Sequence, residues 1–517
     1  MKVGKLEKIK KIFLFVILFW IVAHGYRFMN NLYTGDTLVE AFQDDIYWQR
    51  SLGRFMQPLT MIFRGTICAP WLLFSIAVVF FATGVFFVSE ILEIENPLLL
   101  FIACGILSCN ITITSTNAAF IPWIDVFAAA FLLAALGVWL FIRDKWWGYF
   151  LGITCFICSL GFYQAYIDVA FALFLILFLG GLAKGKVTKD FWIKQAKTGG
   201  GLLVSGIGYW SAYKLVLKIH HVEAADSYNS ISEAGNYQGI SINRLFLETY
   251  QKFFYYLSNP GSFVSTYLLG RSVSETWKLA LKIALICIII CICACMFYLN
   301  KRSKIPFHQI IMQIIAFLLL PFIFNAVCFI SKGMEHELMI FSFFFLYIFL
   351  IFLIQELSSG NSSLKRLYIA LIPLILLIWN NIVFSNQIYY KIEMEDRAAL
   401  SFATRIVSSI ESTDGYVAGV TPVLIVGSPE ESDNVEKGEY LRDIRILGNG
   451  NTPFTSYSSL PYYLKVYLGV RINICHENVS SDVIAGMPIY PDKNSIKYVD
   501  GILVIKLSGD VQSFKVP

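Results

Sequence analysis

The chain has 517 residues, of which 57% are hydrophobic, 16% are aromatic and only 15% are charged, and its formal net charge is +5. A soluble globular domain has roughly 25% charged residues, so this composition excludes an ordinary soluble protein. It also excludes a nucleic-acid-binding module, which would need a basic face. Most of the eleven cysteines lie in apolar runs, which favours a packing role over a disulfide framework.

Apolar runs dominate the first three quarters of the chain. A transmembrane helix needs about 20 mostly apolar residues. That rule predicts about eleven helices, over 12–29, 69–89, 97–115, 121–142, 147–164, 166–183, 199–217, 279–299, 309–330, 338–355 and 367–385. The predicted fold class is therefore an α-helical polytopic membrane protein.

The basic residues predict the orientation of these helices. With the N-terminus in the cytoplasm, seventeen Lys and Arg fall on the cytoplasmic side, against eight in the outer loops. This asymmetry follows the positive-inside rule, and an odd number of spans then places the C-terminus outside. One connection does not fit the pattern, because the loop at Glu90, Glu93 and Glu95 is predicted cytoplasmic but has no basic residue.

The long apolar runs end before the C-terminal tail, which begins at about Gln387. The pattern predicts an amphipathic helix over 394–410, a short strand over 423–427, a helix over 461–468, and a hairpin over 495–507 that turns at Asp500-Gly501. We therefore predict two domains. One is a transmembrane domain of residues 1–386 with outer loops 30–66 and 218–275; the other is a small extramembrane α/β domain of residues 387–517.

Ionisable residues at membrane depth are costly, so each is a functional candidate. Asp125 and Asp168 lie near the predicted outer ends of their spans, as do His24 and Arg27. Asp125 and Asp168 are the second choice for a catalytic base, behind two aspartates of the first outer loop.

The first outer loop contains the adjacent acids Asp44 and Asp45, followed by Arg50 and Arg54. We expect a short helix on the membrane surface here, with the two arginines on one face because they are spaced i, i+4. An acid at this depth can take a proton from a hydroxyl nucleophile, and arginines can hold a phosphate leaving group. The alternative is that the acids are solvated loop residues that pair with the arginines.

Two further groups of residues are candidate substrate contacts. Lys278 and Lys282, at the predicted outer end of the eighth span, are placed to hold a phosphate, unless they only extend towards the interface. Tyr163, Gln164 and Tyr166 are placed to contact a sugar, although the tyrosines would equally suit an interfacial aromatic belt.

Three short blocks resemble one known family. They are Tyr33-Thr-Gly-Asp36 with Asp44-Asp45 and Gly53-Arg54; Gly161-Phe-Tyr-Gln-Ala-Tyr166; and Met487-Pro-Ile-Tyr-Pro491 with Ser495-Ile and Val504-Ile-Lys506. Together they resemble the bacterial O-antigen-modifying glucosyltransferases, which are multi-span enzymes of the C-type glycosyltransferase superfamily. In the ninth-to-tenth connection, where that family has an arginine, this sequence has Ser331-Lys-Gly-Met-Glu-His336.

The resemblance implies a function as well as a fold. The donor would be a polyprenyl-phosphate hexose, the acceptor a glycan hydroxyl on a lipid-linked O-antigen repeat, and the place the outer face of the bacterial inner membrane. It assigns Asp44 and Asp45 as the catalytic acids. It also places Arg54 at the basic position of the first outer loop. With the candidates read from the residues themselves, the predicted substrate contacts are Arg50, Arg54, Tyr163, Gln164, Tyr166, Asp168, Lys278, Lys282 and His336. No metal ligands are predicted, and a divalent metal requirement stays open. The alternatives are a flippase for lipid-linked glycans and an O-antigen-type polymerase.

Overall fold

The computed structural model describes residues 3–32, 34, 37–38, 46–66, 68–225, 241–258, 267–268, 271–272, 274–327, 336–358, 362–427, 463–475 and 479–508. The chain divides into two compact units. One comprises Met1–Met29, Asp45–Asn117 and Trp123–Asn386; the other comprises Asn30–Asp44, Ala118–Pro122 and Gln387–Pro517.

The regular structure among the described residues of the first unit is helical apart from a short hairpin of two two-residue strands, β1 (Tyr267–Leu268) and β2 (Arg271–Ser272). Its helices are α1 (Val3–Met29), α2 (Ile46–Ser51), α3 (Pro58–Arg64), α4 (Pro70–Ile91), α5 (Pro97–Ser108), α6 (Ile111–Ala119), α7 (Ile124–Phe141), α8 (Trp146–Phe162), α9 (Ile167–Ala183), α10 (Lys189–His220), α11 (Ile242–Ser258), α12 (Ser274–Ser303), α13 (Phe307–Leu318), α14 (Leu320–Ile323), α15 (Phe345–Ser358) and α16 (Ile372–Glu411). Helix α16 continues into the second unit.

Seven helical segments of the described residues are long and apolar enough to cross a bilayer. Three are α1, α4 and α12; the other four are α7, α9, α15 and α16 together with the tight helical turn before each, over Ile121–Phe141, Gln164–Ala183, Phe341–Ser358 and Leu367–Glu411. The bent pair α5 and α6 makes an eighth if it is counted as one span. The remaining predicted spans fall on the short apolar helices α8 and α13 and on the 32-residue α10, which do not meet that standard. Several apolar helices therefore indicate a membrane protein, but the expected count of about eleven is not reached by length and composition.

Two predicted spans are interrupted. The span predicted over 309–330 ends as α13 at Leu318, and the short α14 follows with Pro321 in its first turn. Proline lacks the N–H that a continuing helix needs. The span predicted over 97–115 bends by 44° between α5 and α6. There Asn110 donates its amide to the carbonyls of Ile106 and Leu107, and its carbonyl accepts from the N–H of Ile113. One side chain thus serves both helix ends.

The polar stretch of residues 110–117, which forms the bend and α6, is buried. Its polar groups therefore need hydrogen-bond partners inside the protein. His24 of α1 contacts the carbonyl of Ser108 at 3.0 Å, and Arg27 donates its Nε to the carbonyl of Asn117 at 2.9 Å. Both side chains are almost fully buried. His24 and Arg27 therefore contact backbone carbonyls at either end of the polar stretch.

The acidic loop that did not fit the charge pattern has basic partners in α1. Lys5 binds Glu90 at 2.8 Å, and Lys8 binds both Glu90 and Glu95 at 3.0 Å. These ion pairs place Glu90 and Glu95 at the same end of the helical unit as the start of α1. The basic residues that pair with this loop therefore lie in α1 and not in the loop itself.

The second unit contains a four-stranded sheet of β3 (Pro422–Val426), β4 (Asn473–Ile474), β5 (Ile496–Val499) and β6 (Ile502–Lys506), in the order β4-β3-β6-β5. Strand β3 is parallel to β4 and β6, and β5 is antiparallel to β6. The expected hairpin is present, since Asp500 and Gly501 both have positive φ angles. The predicted helix over 461–468 is a single helical turn, Tyr463–Tyr467, within the described residues.

Both faces of the central strands are covered, as parallel strands require. One face packs against Phe402, Ile406 and Ile410 of α16, and the other against Ile484 of α17 (Ser481–Ala485). The amphipathic helix predicted over 394–410 is thus present, but as part of α16 and not as a separate helix. Lys506, from one of the family-like blocks, donates to three carbonyls at the end of α17.

Candidate active site

The turn that carries Arg54 follows the short helix α2. The helix ends at Ser51, and Gly53 has a φ of +79°, a conformation that favours glycine. The Arg54 N–H then donates to the carbonyl of Gln49 at 2.9 Å. The expected helical face shared by Arg50 and Arg54 is therefore wrong, because the helix stops before Arg54.

Three successive carbonyls of this turn each accept a hydrogen bond from a side chain. Tyr213 donates to Ser51 at 2.7 Å, Gln164 to Leu52 at 2.7 Å, and Tyr209 to Gly53 at 3.2 Å. Gln164 also donates to the Tyr209 hydroxyl at 2.8 Å. A turn with its carbonyls held in this way presents Arg54 in a fixed position.

Two tyrosines of α10 were not among the residues predicted from the sequence. Tyr209 and Tyr213 are spaced i, i+4, so they lie on one helix face, and their rings stack at 6.4 Å. The signal was present as a tyrosine pair at helical spacing, but such a pair is equally typical of an interfacial belt. Tyr209 and Tyr213 differ from belt residues because their hydroxyls donate to backbone carbonyls that lie about 160 residues earlier in the chain.

The Arg54 side chain lies between a polar and an aromatic neighbour. Its Nη1 donates to the Gln49 side chain at 3.2 Å, and its guanidinium carbon is 4.9 Å from the centre of the Tyr163 ring. Its Nε is buried and has no hydrogen-bond partner among the described residues. Arg54 also has no acidic partner within the described part of the chain, so its positive charge is available for an anion there.

His336 and Glu337 lie on the segment that precedes α15. Burial, together with the positive charge of Arg54, lowers the pKa of His336 to about 4, so the ring is neutral at pH 7. Its Nδ1 is buried without a hydrogen-bond partner among the described atoms. Burial raises the pKa of Glu337, and the backbone carbonyl of that residue accepts from Thr112 at 2.7 Å. Glu337 was not among the site residues predicted from the sequence.

Asp168 and Tyr166 are both buried at the start of α9. One Asp168 oxygen accepts from the backbone N–H of Val327 at 3.1 Å, and the other is buried with no partner within the described ranges. The Tyr166 ring packs between Phe127 and Phe341. The structure therefore uses Asp168 to hold the chain just before the segment that leads to His336, and Tyr166 to fill the helix bundle.

Asp125 has a basic partner. It binds Nε of Arg64 at 2.8 Å, and both side chains are almost fully buried. The guanidinium also lies 5.8 Å from the centre of the Trp123 ring. Because a buried ion pair is costly to separate, Asp125 is poorly placed to act as a free base.

The remaining predicted residues are less informative. Asp44 and Asp45 lie outside the described residues, and of Lys278 only the backbone, in α12, is described. Lys282 is exposed on α12, and Arg50 is half-buried. Among the described residues no group of three or more His, Cys, Asp or Glu is arranged to hold a metal ion. The structure thus brings together Arg54, Tyr163, Gln164 and His336.

The several apolar helices define a membrane protein, and the half-buried arginine with its neighbouring polar groups is its candidate site. The family model for glucosyl transferase GtrII matches residues 25–355, which is more than half of the chain, so the protein belongs to this family. The match includes all the clustered residues named above. No curated protein matched the chain, and no solved structure matched it.

Proposed function

We propose that the protein transfers glucose from a polyprenyl-phosphate donor to a cell-surface glycan such as O-antigen, on the outer face of the bacterial inner membrane. Family membership supports glucosyl transfer. The apolar helices support a lipid-linked donor, whose hydrocarbon tail would lie in the bilayer with its phosphate at headgroup depth.

The observation that carries this proposal is Arg54. It is a half-buried arginine whose turn is held by three side-chain hydrogen bonds and whose charge has no acidic partner in the described part of the chain. Such a group binds a phosphate with little loss of side-chain entropy, because its position is already fixed. The neutral His336 ring can add a hydrogen bond without adding charge.

The transfer step needs a base and a stabilised leaving group. In our proposal one carboxylate of Asp44 or Asp45 takes the proton of the acceptor hydroxyl, and the resulting oxygen attacks the anomeric carbon. The bond from that carbon to the phosphate oxygen breaks, and its electron pair leaves with the polyprenyl phosphate. Arg54 stabilises the charge that develops on this phosphate. Lys278 and Lys282 are proposed as further cations for the donor.

The other predicted substrate residues take narrower roles. Both N–H groups of the Gln164 amide are engaged with the protein, so we propose that Gln164 positions Arg54. Tyr163 stacks on the guanidinium and is the better placed of the two tyrosines to line the sugar site. Asp168 holds the backbone at Val327.

The proposal includes two domains with different roles. Residues 1–386 would form the transferase domain, with the N-terminus in the cytoplasm. Residues 387–517 would lie outside and recognise the acceptor glycan. Deletion of 390–517 is then expected to abolish transfer to the full acceptor while some donor binding remains.

The test is a reconstituted transfer reaction. Purified protein is mixed with polyprenyl-phosphate glucose and a lipid-linked glycan, and the product mass is measured. We expect one added hexose, a loss of about 10²–10⁴ in rate for Asp→Asn at the true base, and weaker donor use for Arg54→Ala. Arg244→Ala is the control, because Arg244 is exposed and pairs with Glu248 on its own helix.

Two outcomes would overturn the proposal. The first is movement of the lipid-linked glycan with no new glycosidic bond, which would indicate a flippase. The second is the joining of glycan repeats without use of the polyprenyl-phosphate glucose, which would indicate a polymerase. Full activity in both Asp44→Asn and Asp45→Asn would leave the function in place but remove these residues as the base.

A further inference from the structure

A cavity of about 540 Å³ lies between α12 and α13, away from the residues of the candidate active site. Its volume is in the range of small-molecule sites. Most of its wall is apolar, formed by Ile292, Met296, Phe297, Ile314, Phe317 and Leu318. Phe297 is 65% exposed and Leu318 is 57% exposed, so the cavity opens on the outside of the helical unit. On an apolar membrane helix this outside is where lipid chains lie.

One end of the cavity is polar. Asn300 and Gln313 exchange two amide hydrogen bonds, at 2.8 and 3.1 Å, which join α12 to α13 there. Lys301 and Lys304 line the same end. Neither lysine forms an ion pair within the described residues, whereas nearby Lys184 pairs with Glu356 at 2.6 Å. The cavity thus combines an apolar wall with two lysines that have no acidic partner in the described part of the chain.

We propose that this cavity binds a membrane phospholipid with an anionic headgroup. An acyl chain would lie along the apolar wall, and the phosphate would lie at the lysines. The charge favours this occupant, because a juxtamembrane Lys attracts anionic lipid at the membrane surface. A soluble anion would leave the apolar wall uncovered, and an uncharged lipid would leave the two lysines without a counter-charge.

This site is separate from the proposed donor site. Lys282 and Lys301 lie on the same helix, nineteen positions apart, which corresponds to about 28 Å along the helix axis. The two ends of α12 therefore reach different depths. The lipid inference does not depend on the proposed transfer reaction.

The test is lipid binding to the full-length protein by native mass spectrometry in detergent. Dioleoylphosphatidylglycerol is titrated against dioleoylphosphatidylcholine, which has the same chains but no net charge. We expect a saturable 1:1 adduct that prefers phosphatidylglycerol. The double variant Lys301→Gln/Lys304→Gln should bind phosphatidylglycerol about 10- to 30-fold more weakly, with phosphatidylcholine unchanged.

The controls separate this site from general attraction. Lys186→Gln/Lys189→Gln removes two exposed lysines that follow Gly185, a residue next to Ile305 of the α12–α13 connection, and it should bind phosphatidylglycerol like the unchanged protein. Ile314→Trp fills the cavity, so a folded variant should lose both lipids; Met296→Trp serves if the first does not fold. Equal binding of the two lipids, unchanged binding in the lysine variant, or displacement by inorganic phosphate would overturn the proposal.

Discussion

Replacing Gly53 by alanine is expected to remove most activity while leaving the protein folded. The added Cβ would lie 2.3 Å from the Tyr209 hydroxyl and 3.1 Å from Nε2 of Gln164. Both groups hold the Arg54 turn, so they must move or the turn must move. The positive φ adds strain for any side chain.

The expected magnitudes follow from these contacts. An alanine in the left-handed region costs about 1–2 kcal/mol, and overpacking of a filled site adds about 1–3 kcal/mol. Relief of the 2.3 Å contact requires a shift of about 1 Å, and misplacement of this size can cost about 10²-fold in rate. Transfer is measured by product mass, and stability by thermal unfolding in detergent.

Gly185→Ala is the matched control. Gly185 also has a positive φ, of +65°, but its added Cβ would meet only ordinary contacts, the nearest being Ile305 at 3.5 Å. It should lose about 1–2 kcal/mol of stability and keep its activity. The reasoning about the turn is refuted if Gly53→Ala transfers glucose as fast as Gly185→Ala.

Three further expectations follow. Asp125→Asn leaves Arg64 buried without its counter-charge, so it should lower the free energy of unfolding by about 3–5 kcal/mol, and an unchanged melting temperature would contradict this. Because the native His336 pKa is about 4, the unfolded chain binds more protons between pH 4 and 6.5; stability should rise with pH across this window, and His336→Gln should flatten the rise. A reporter that is active only in the cytoplasm should be silent when fused after Pro517, whereas a strong signal would reverse the proposed topology.

Hydropathy predicted where the helices lie better than where they are interrupted. A sum over 20 residues detects α4 or α12 because nearly every position is apolar. It does not detect the α5–α6 bend, which depends on one Asn110 side chain bonding to both helix ends. It also missed the end of α13, where proline follows in the next turn. A helix interruption depends on one or two side chains, so it has little effect on the hydropathy averaged over 20 residues.

The candidate site was predictable only in part, for a related reason. The Arg54 region and the Gln164 block were recognised from short motifs, and the structure brings them together. The two tyrosines that hold the Arg54 turn were not recognised, because Tyr209 and Tyr213 donate to carbonyls about 160 residues earlier in the chain. A single sequence gives the type and spacing of side chains but not which distant carbonyl or carboxylate each one meets.

Glu337 is the acid that the structure adds to the candidates. Asp125 is engaged with Arg64 and Asp168 with a backbone N–H, whereas the Glu337 carboxylate has no ion-pair partner within the described residues. It directly follows His336, whose ring senses the charge of Arg54. Burial raises its pKa, towards the range that suits a general base at neutral pH.

Glu337→Gln separates a catalytic from a structural role. With the native pKa raised, the folded protein holds a proton that the unfolded chain has released above about pH 4.5, so this group lowers stability as the pH rises. The glutamine variant should therefore be at least as stable as the unchanged protein at pH 7. If Glu337 is a base, the variant should still lose about 10²–10⁴ in rate. Exposed Asp190→Asn is the control. A stable and fully active Glu337→Gln would exclude Glu337, and would leave Asp44 and Asp45 as the remaining acids to explain proton removal.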